Sequence, residues 1–151
     1  LPVFGSILGA LVLIYGLWTK SEHTKRAAYF TFIISAIGAG IAYLTGEGAE
    51  EAVEDIQGIS ENIIKQHEDA GMYALISLIV LGIMSLIALL ASRFKASMIK
   101  TTSIIILVFS FISFGLVART GYLGGQIRHT EIATAATQNN GGGEKGEKDS
   151  D

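Results

Sequence analysis

Hydrophobic and polar positions are not interleaved along this chain; they are segregated into blocks. Four stretches, 1–19, 27–46, 70–92 and 101–118, contain no charged residue, and every Asp, Glu, Lys and Arg falls between or after them. These runs of 18 to 23 residues match the ~20 helical residues needed to cross the hydrocarbon core of a bilayer. A water-exposed helix would interrupt them with a polar face at helical spacing. A bilayer admits helices or closed barrels only, because backbone groups must be paired internally. Barrel strands would alternate apolar and polar residues, and a segment such as LISLIVLGIMSLIALLA (75–91) does not alternate. The pattern therefore predicts an all-α integral membrane four-helix bundle with spans at about 2–19, 27–45, 71–92 and 101–118. Pro2 is tolerated because it falls in a first helical turn.

The charge between the spans predicts an orientation. The connection between spans one and two carries Lys20, Lys25 and Arg26, and that between spans three and four carries Arg93, Lys95 and Lys100. The central connection has one cation, Lys65, against Glu47, Glu50, Glu51, Glu54, Asp55, Glu61, Glu68 and Asp69. The positive-inside rule places both short basic connections in the cytoplasm. The N-terminus, the acidic central loop and the C-terminal tail then face outward. Trp18, Tyr43 and Tyr122 fall near span ends, where interfacial aromatics belong.

Composition excludes several classes. Half of the residues are hydrophobic and 17% are charged, against the ~25% charge of soluble domains, so a soluble enzyme and a disordered chain are both ruled out. There is no Cys, which removes disulfides, thiolate metal sites, iron–sulfur ligation, covalent haem attachment and cysteine nucleophiles. A net charge of −3 gives no reason to expect nucleic-acid binding. The first residue is Leu1 with no basic segment ahead of the first apolar run, so the N-terminus reads as truncated or processed.

Small residues recur within the spans: Gly5, Gly9 and Gly16 on the first, Thr31, Ser35, Gly38, Ala42 and Thr45 on the second, Ser103, Ser110, Ser113 and Thr120 on the fourth. They predict close helix packing, since small side chains let backbones approach in lipid. A transport path would show ionisable residues inside the spans, and none is present between the boundaries, which disfavours a solute or ion transporter. In the central loop, Ala52, Val53, Ile56, Ile59, Ile63, Ile64 and His67 recur at three- and four-residue steps opposite acids and amides. This predicts an amphipathic loop helix over about 49–67, either lying on the bundle as a solvated lid or offering an acidic docking surface to a membrane or periplasmic protein. From Gln138 the chain reads QNNGGGEKGEKDSD, and 133–151 are expected to form a disordered polar tail after a membrane domain over 1–132.

The candidate chemistry is concentrated in two histidines. His23 lies among the basic residues of the first connection, whereas His67 and His129 fall on the same outer side of the predicted bundle. Two imidazoles from neighbouring helices could ligate a b-type haem, or join Glu47, Glu51 or Glu131 in a metal site. The bland alternative is a pair of interfacial histidines with polar contacts. A continuing helix would carry His129 ~16 Å past Ala118, so it reaches the bundle only if Gly121–Gly125 turns the chain back. Arg119 and Arg128 flank those glycines and could hold an anion or lipid headgroup, although snorkelling suffices for Arg119. No serine elbow, phosphate loop or metalloprotease His pair is present, so catalysis is not expected.

Leu44-Thr45-Gly46 after span two, His67 at the mouth of span three and Gly-Tyr-Leu-Gly-Gly-x-x-x-His from Gly121 to His129 resemble the bacterial membrane family catalogued as domain of unknown function 2231. The Gly124–Glu131 run looks like its Bacteroidetes-type form. The resemblance covers about residues 1–132 and the four-span layout. It implies a His-Pro and a further His ahead of span one, absent from this sequence, and an association with c-type cytochrome modules. Expectation thus divides between a small inner-membrane subunit of a redox or envelope complex, able to form homo-oligomers, and an electron-transfer module holding haem b through His67 and His129.

Overall fold

The computed structural model describes residues 2–54, 61–92 and 99–141, with side chains described over 2–46, 62–92 and 101–126. It is all-helical: α1 (Pro2–Trp18), α2 (Glu22–Glu54), α3 (Glu61–Ala91) and α4 (Ile99–Gly141). Glu22–Gly46, Asn62–Ala91 and Thr101–Gln126 are long and apolar enough to cross a membrane, and Pro2–Trp18 is a shorter apolar helix. Each helix packs against its neighbour in sequence, and α1 closes the ring against α4. We call the end holding the α1–α2 and α3–α4 connections the basic end, and the opposite end, holding the α2–α3 connection, the acidic end.

The helices extend past the charge-free stretches. Charge ends an apolar run but does not end a helix, because Glu, Lys, Gln and Arg have good helix propensity. Residues 49–54 of the expected loop helix form the end of α2, and 61–67 form the start of α3; 55–60 lie outside the described residues. Likewise α4 continues through 133–141, an Ala- and Thr-bearing part of the expected tail, and 142–151 lie outside the description.

The α1–α2 turn is fixed by local chemistry. The Ser21 N–H donates to the Gly16 carbonyl at 3.0 Å and the Lys20 N–H to the Leu17 carbonyl at 3.4 Å, the paired bonds that close a helix on a left-handed residue. That residue is Lys20, with φ of 54°, where glycine is the usual occupant. Ser21 then caps α2: its Oγ accepts from the Thr24 N–H at 3.3 Å and from the Thr24 hydroxyl at 2.9 Å, satisfying a donor that the helix leaves open.

The packing is inverted relative to a water-soluble bundle. Leu13, Tyr29, Phe32, Leu78, Leu81 and Ile106 fill the centre, but Ser6, Ser35, Ser77, Ser85, Ser103, Ser110 and Ser113 are buried beside them. Phe4, Ile37, Leu44, Ile83, Leu90 and Val108 are exposed on the outside. Such an apolar exterior is a liability in water, whereas in lipid it costs nothing and small residues mediate the contacts. Gly5 faces the Ser35 side chain, Gly9 the Phe32 ring and Gly16 the backbone of Thr24 and Lys25. The first-span glycines thus let α1 lie against α2. On α2 the small-residue stripe is divided, with Ser35 buried and Ala42 and Thr45 exposed.

Candidate functional site at the α3–α4 junction

Near the acidic end, Ala70 and Ala74 of α3 and Val117 and Leu123 of α4 are buried. A Cβ on Gly71 would stand 3.8 Å from the Thr120 methyl. One turn before Gly71, the imidazole of His67 reaches α4, where Nδ1 lies 3.0 Å from the Thr120 carbonyl oxygen. A carbonyl can only accept, so Nδ1 carries the proton and donates, which in the neutral ring leaves the Nε2 lone pair free. The ring lies on Gly124: a Cβ there would come within 3.0 Å of Cε1 and 3.4 Å of Nδ1. Gly124 is thus a place for a ring rather than a turn, and α4 runs through Gly121–Gly125 as unbroken helix.

That continuity positions the other candidates. His129 follows Gly124 by five helical residues, about 140° around the axis and ~7.5 Å along it. The chain does not fold back at the glycines, the condition the sequence set for His129 to reach the bundle. Arg128, His129 and Glu131 belong to the helical backbone of α4, and Glu47 and Glu51 to the last turns of α2; their side chains lie outside the description. Arg119 is exposed beside Thr120, and His23 is exposed near the start of α2. Among the described residues no group of three or more His, Cys, Asp or Glu stands together as a metal site. The structure therefore brings His67 to Thr120 and Gly124. Neither partner was legible as such: one contributes a backbone carbonyl and the other the absence of a side chain.

A family model described as predicted membrane protein (DUF2231) matches residues 1–135. The chain belongs to that family. No curated protein and no solved structure matches it. The motif-based resemblance named this family, and the helical, lipid-suited fold agrees with a membrane protein, with three of the described helices long and apolar enough to cross a membrane.

Two further polar contacts tie this DUF2231 chain together toward the basic end. Tyr29 on α2 and Ser103 on α4 share a buried hydrogen bond of 2.7 Å between their hydroxyls, joining helices that are not neighbours in the ring. Arg26 donates through Nη2 to the Ser92 carbonyl at 3.2 Å, closing the C-terminal end of α3, where open carbonyls and the helix dipole favour a cation. Lys25 is buried and pairs with Glu22 at 2.8 Å. Sequence spacing could not show these links, because their partners stand 66 and 74 positions apart.

Proposed function

We propose that this chain is a non-catalytic subunit of the bacterial inner membrane, with both termini outside and the basic connections in the cytoplasm. Its acidic outer end docks a partner in a redox or envelope complex. The observation that carries this reading is how the interior polar groups are used. The hydroxyls of Ser6, Ser35, Ser77 and Ser110 donate to carbonyls of their own helices, Tyr29 bonds Ser103 across the bundle, and His67 donates to Thr120. The four serine hydroxyls are thus satisfied within their own helices, and the Tyr29–Ser103 and His67–Thr120 bonds join one helix to another. The acids of the α2–α3 connection remain as the concentrated, outward-facing chemistry.

Two experiments test the proposal. Single cysteines at His23 and Lys65, both exposed, are labelled in intact cells with a membrane-impermeant maleimide; labelling at 23 and not at 65 would reverse the orientation. On native gels of gently solubilised membranes, the full chain is expected in an assembly far larger than itself. Changing Glu47, Glu50, Glu51 and Glu54 to Gln should release it. Migration of the unaltered protein as a free monomer would refute a subunit role.

A second reading, a b-type haem held by His67 and His129, is favoured by one observation. An Nδ1–H bound to a backbone carbonyl is the arrangement that orients a ligating imidazole through Nε2. The five-residue step from Gly124 to His129 weighs against the pair. Oxidised and dithionite-reduced spectra of protein made in a haem-supplied host separate the two. A stoichiometric reducible α band, lost in His67→Ala and His129→Ala, supports haem, and a flat spectrum of folded protein discards it.

A further inference from the structure

We propose that a water molecule is held inside the bundle by Ser85 of α3, bridging it to the bonded hydroxyls of Tyr29 on α2 and Ser103 on α4. The other buried serines have partners. Ser6, Ser35, Ser77 and Ser110 donate to carbonyls of their own helices, Ser113 donates to the Ser77 carbonyl, and Ser103 shares a bond with Tyr29. Ser85 is 0% exposed, and its Oγ has no hydrogen-bond partner in the protein. A buried hydroxyl of this kind has given up its hydration without replacement, and hydrocarbon around the bundle offers none. Ordered water is the usual answer to such a group.

The register of the helices supplies the remaining partners. Arg26 stands against Ser92 and Ala36 against Gly82 between α2 and α3, and Ser113 against Ser77 between α3 and α4. The same antiparallel steps put Ser85 opposite Ile33, one turn from Tyr29, and within one turn of Ser103. One turn is ~5.4 Å, close to the ~5.6 Å that two hydrogen bonds of ~2.8 Å span through a shared water. Tyr29 and Ser103 are themselves 0% exposed, so three hydroxyls from three helices are buried at one level. Water accepts from Ser85 and donates to the Tyr29 oxygen, whose lone pairs are not exhausted by its bond to Ser103. The buried residues of α3 and α4 here, Ser85, Ala88 and Ser103, are short, which favours a ligand of this size. Among the described residues the second buried polar atom without a partner is Arg26 Nε, one turn from Tyr29 toward the basic end, and it marks the side from which water enters. The inference is independent of orientation and of the subunit reading.

The full chain in lipid nanodiscs is exposed to millisecond pulses of X-ray-generated hydroxyl radicals, and oxidation is mapped by mass spectrometry. Radicals formed from a bound water attack the side chains beside it, including those closed to bulk solvent. Oxidation is expected at buried Tyr29 and not at Phe111, which is 46% exposed but faces lipid. In Ser85→Ala the Tyr29 rate should fall severalfold. Stability gives a second readout by SDS titration in mixed micelles. Ser85→Ala and Tyr29→Phe should be coupled by about threefold or more in the unfolding equilibrium constant, because each removes one end of the same bridge. An unoxidised Tyr29 in the unaltered protein overturns the proposal. A rate unchanged by Ser85→Ala also overturns it, since the water would then be held elsewhere. So do additive effects of the two substitutions, the result expected of a Ser85 hydroxyl that turns to a carbonyl of its own helix.

Discussion

Replacing Gly124 with Ala should destabilise the bundle, while the same change at Gly125 should stabilise it. Both positions lie inside α4, so each substitution gains about 0.5–1 kcal/mol of helix propensity. Around Gly125 nothing stands within 4 Å of an added Cβ, and the gain is kept. At Gly124 the new methyl meets His67 Cε1 at 3.0 Å and Nδ1 at 3.4 Å, closer than the ring tolerates. Moving the ring by a few tenths of an ångström disturbs its 3.0 Å bond to Thr120. Overpacking of this kind costs about 1–3 kcal/mol, and loss of the hydrogen bond about 0.5–1.5 kcal/mol. The net effect at Gly124 is a loss of about 0.5–4 kcal/mol once the propensity gain is subtracted. Unfolding by SDS titration in mixed micelles, followed through Trp18 fluorescence, measures both variants. The decisive comparison is a double-mutant cycle with His67→Ala: removing the ring should make Gly124→Ala as benign as Gly125→Ala, a coupling of about 1 kcal/mol or more. If Gly124→Ala has the same effect with and without the ring, the packing of His67 on α4 is wrong.

The same assay reads three further expectations. Gly82→Ala should cost about 1–3 kcal/mol, because its methyl would stand 2.6 Å from the Ala36 Cβ on α2; Gly115→Ala, with open space around it, serves as the stabilising control. Lys20→Gly should stabilise by about 0.5–1 kcal/mol by relieving the left-handed conformation at φ 54°, and a loss of stability would show that Lys20 contributes more by its side chain than it strains the backbone. Tyr29→Phe removes the bond to Ser103 and should cost about 0.6 kcal/mol, the mean for hydrogen bonds between membrane helices; an unchanged unfolding curve would mean Ser103 finds an equivalent partner.

Long apolar helices were legible because lipid demands charge-free stretches: 71–91 lies inside α3 and 101–118 inside α4, and three of the described helices are long and apolar enough to cross a membrane. Helix ends at the acidic end were not legible. There the chain passes from apolar to charged residues without a breaker, so α2, α3 and α4 run on past the polarity change. The glycines of the first span announced close packing, and Ser35, Phe32 and Lys25 are what they meet. The surroundings of His67 are a carbonyl and a glycine on α4, which leave no signature at a fixed spacing. The Gly121–Gly125 run was read as a place where the chain might turn. It remains helical because Gly124 serves the neighbouring helix, a tertiary reason that local propensity cannot express.

The α1–α2 turn also determines where this molecule can move. With Lys20 and Ser21 bonded back to Leu17 and Gly16, and Ser21 simultaneously capping α2, there is no slack through which α1 could slide along α2; the two behave as one lever. Among the described residues α3 is tied to its neighbours by His67 to the Thr120 carbonyl, by the Ser113 hydroxyl to the Ser77 carbonyl, and by Arg26 to the Ser92 carbonyl. The outermost of these ties stand at opposite ends of the bundle, a histidine at the acidic end and an arginine at the basic end.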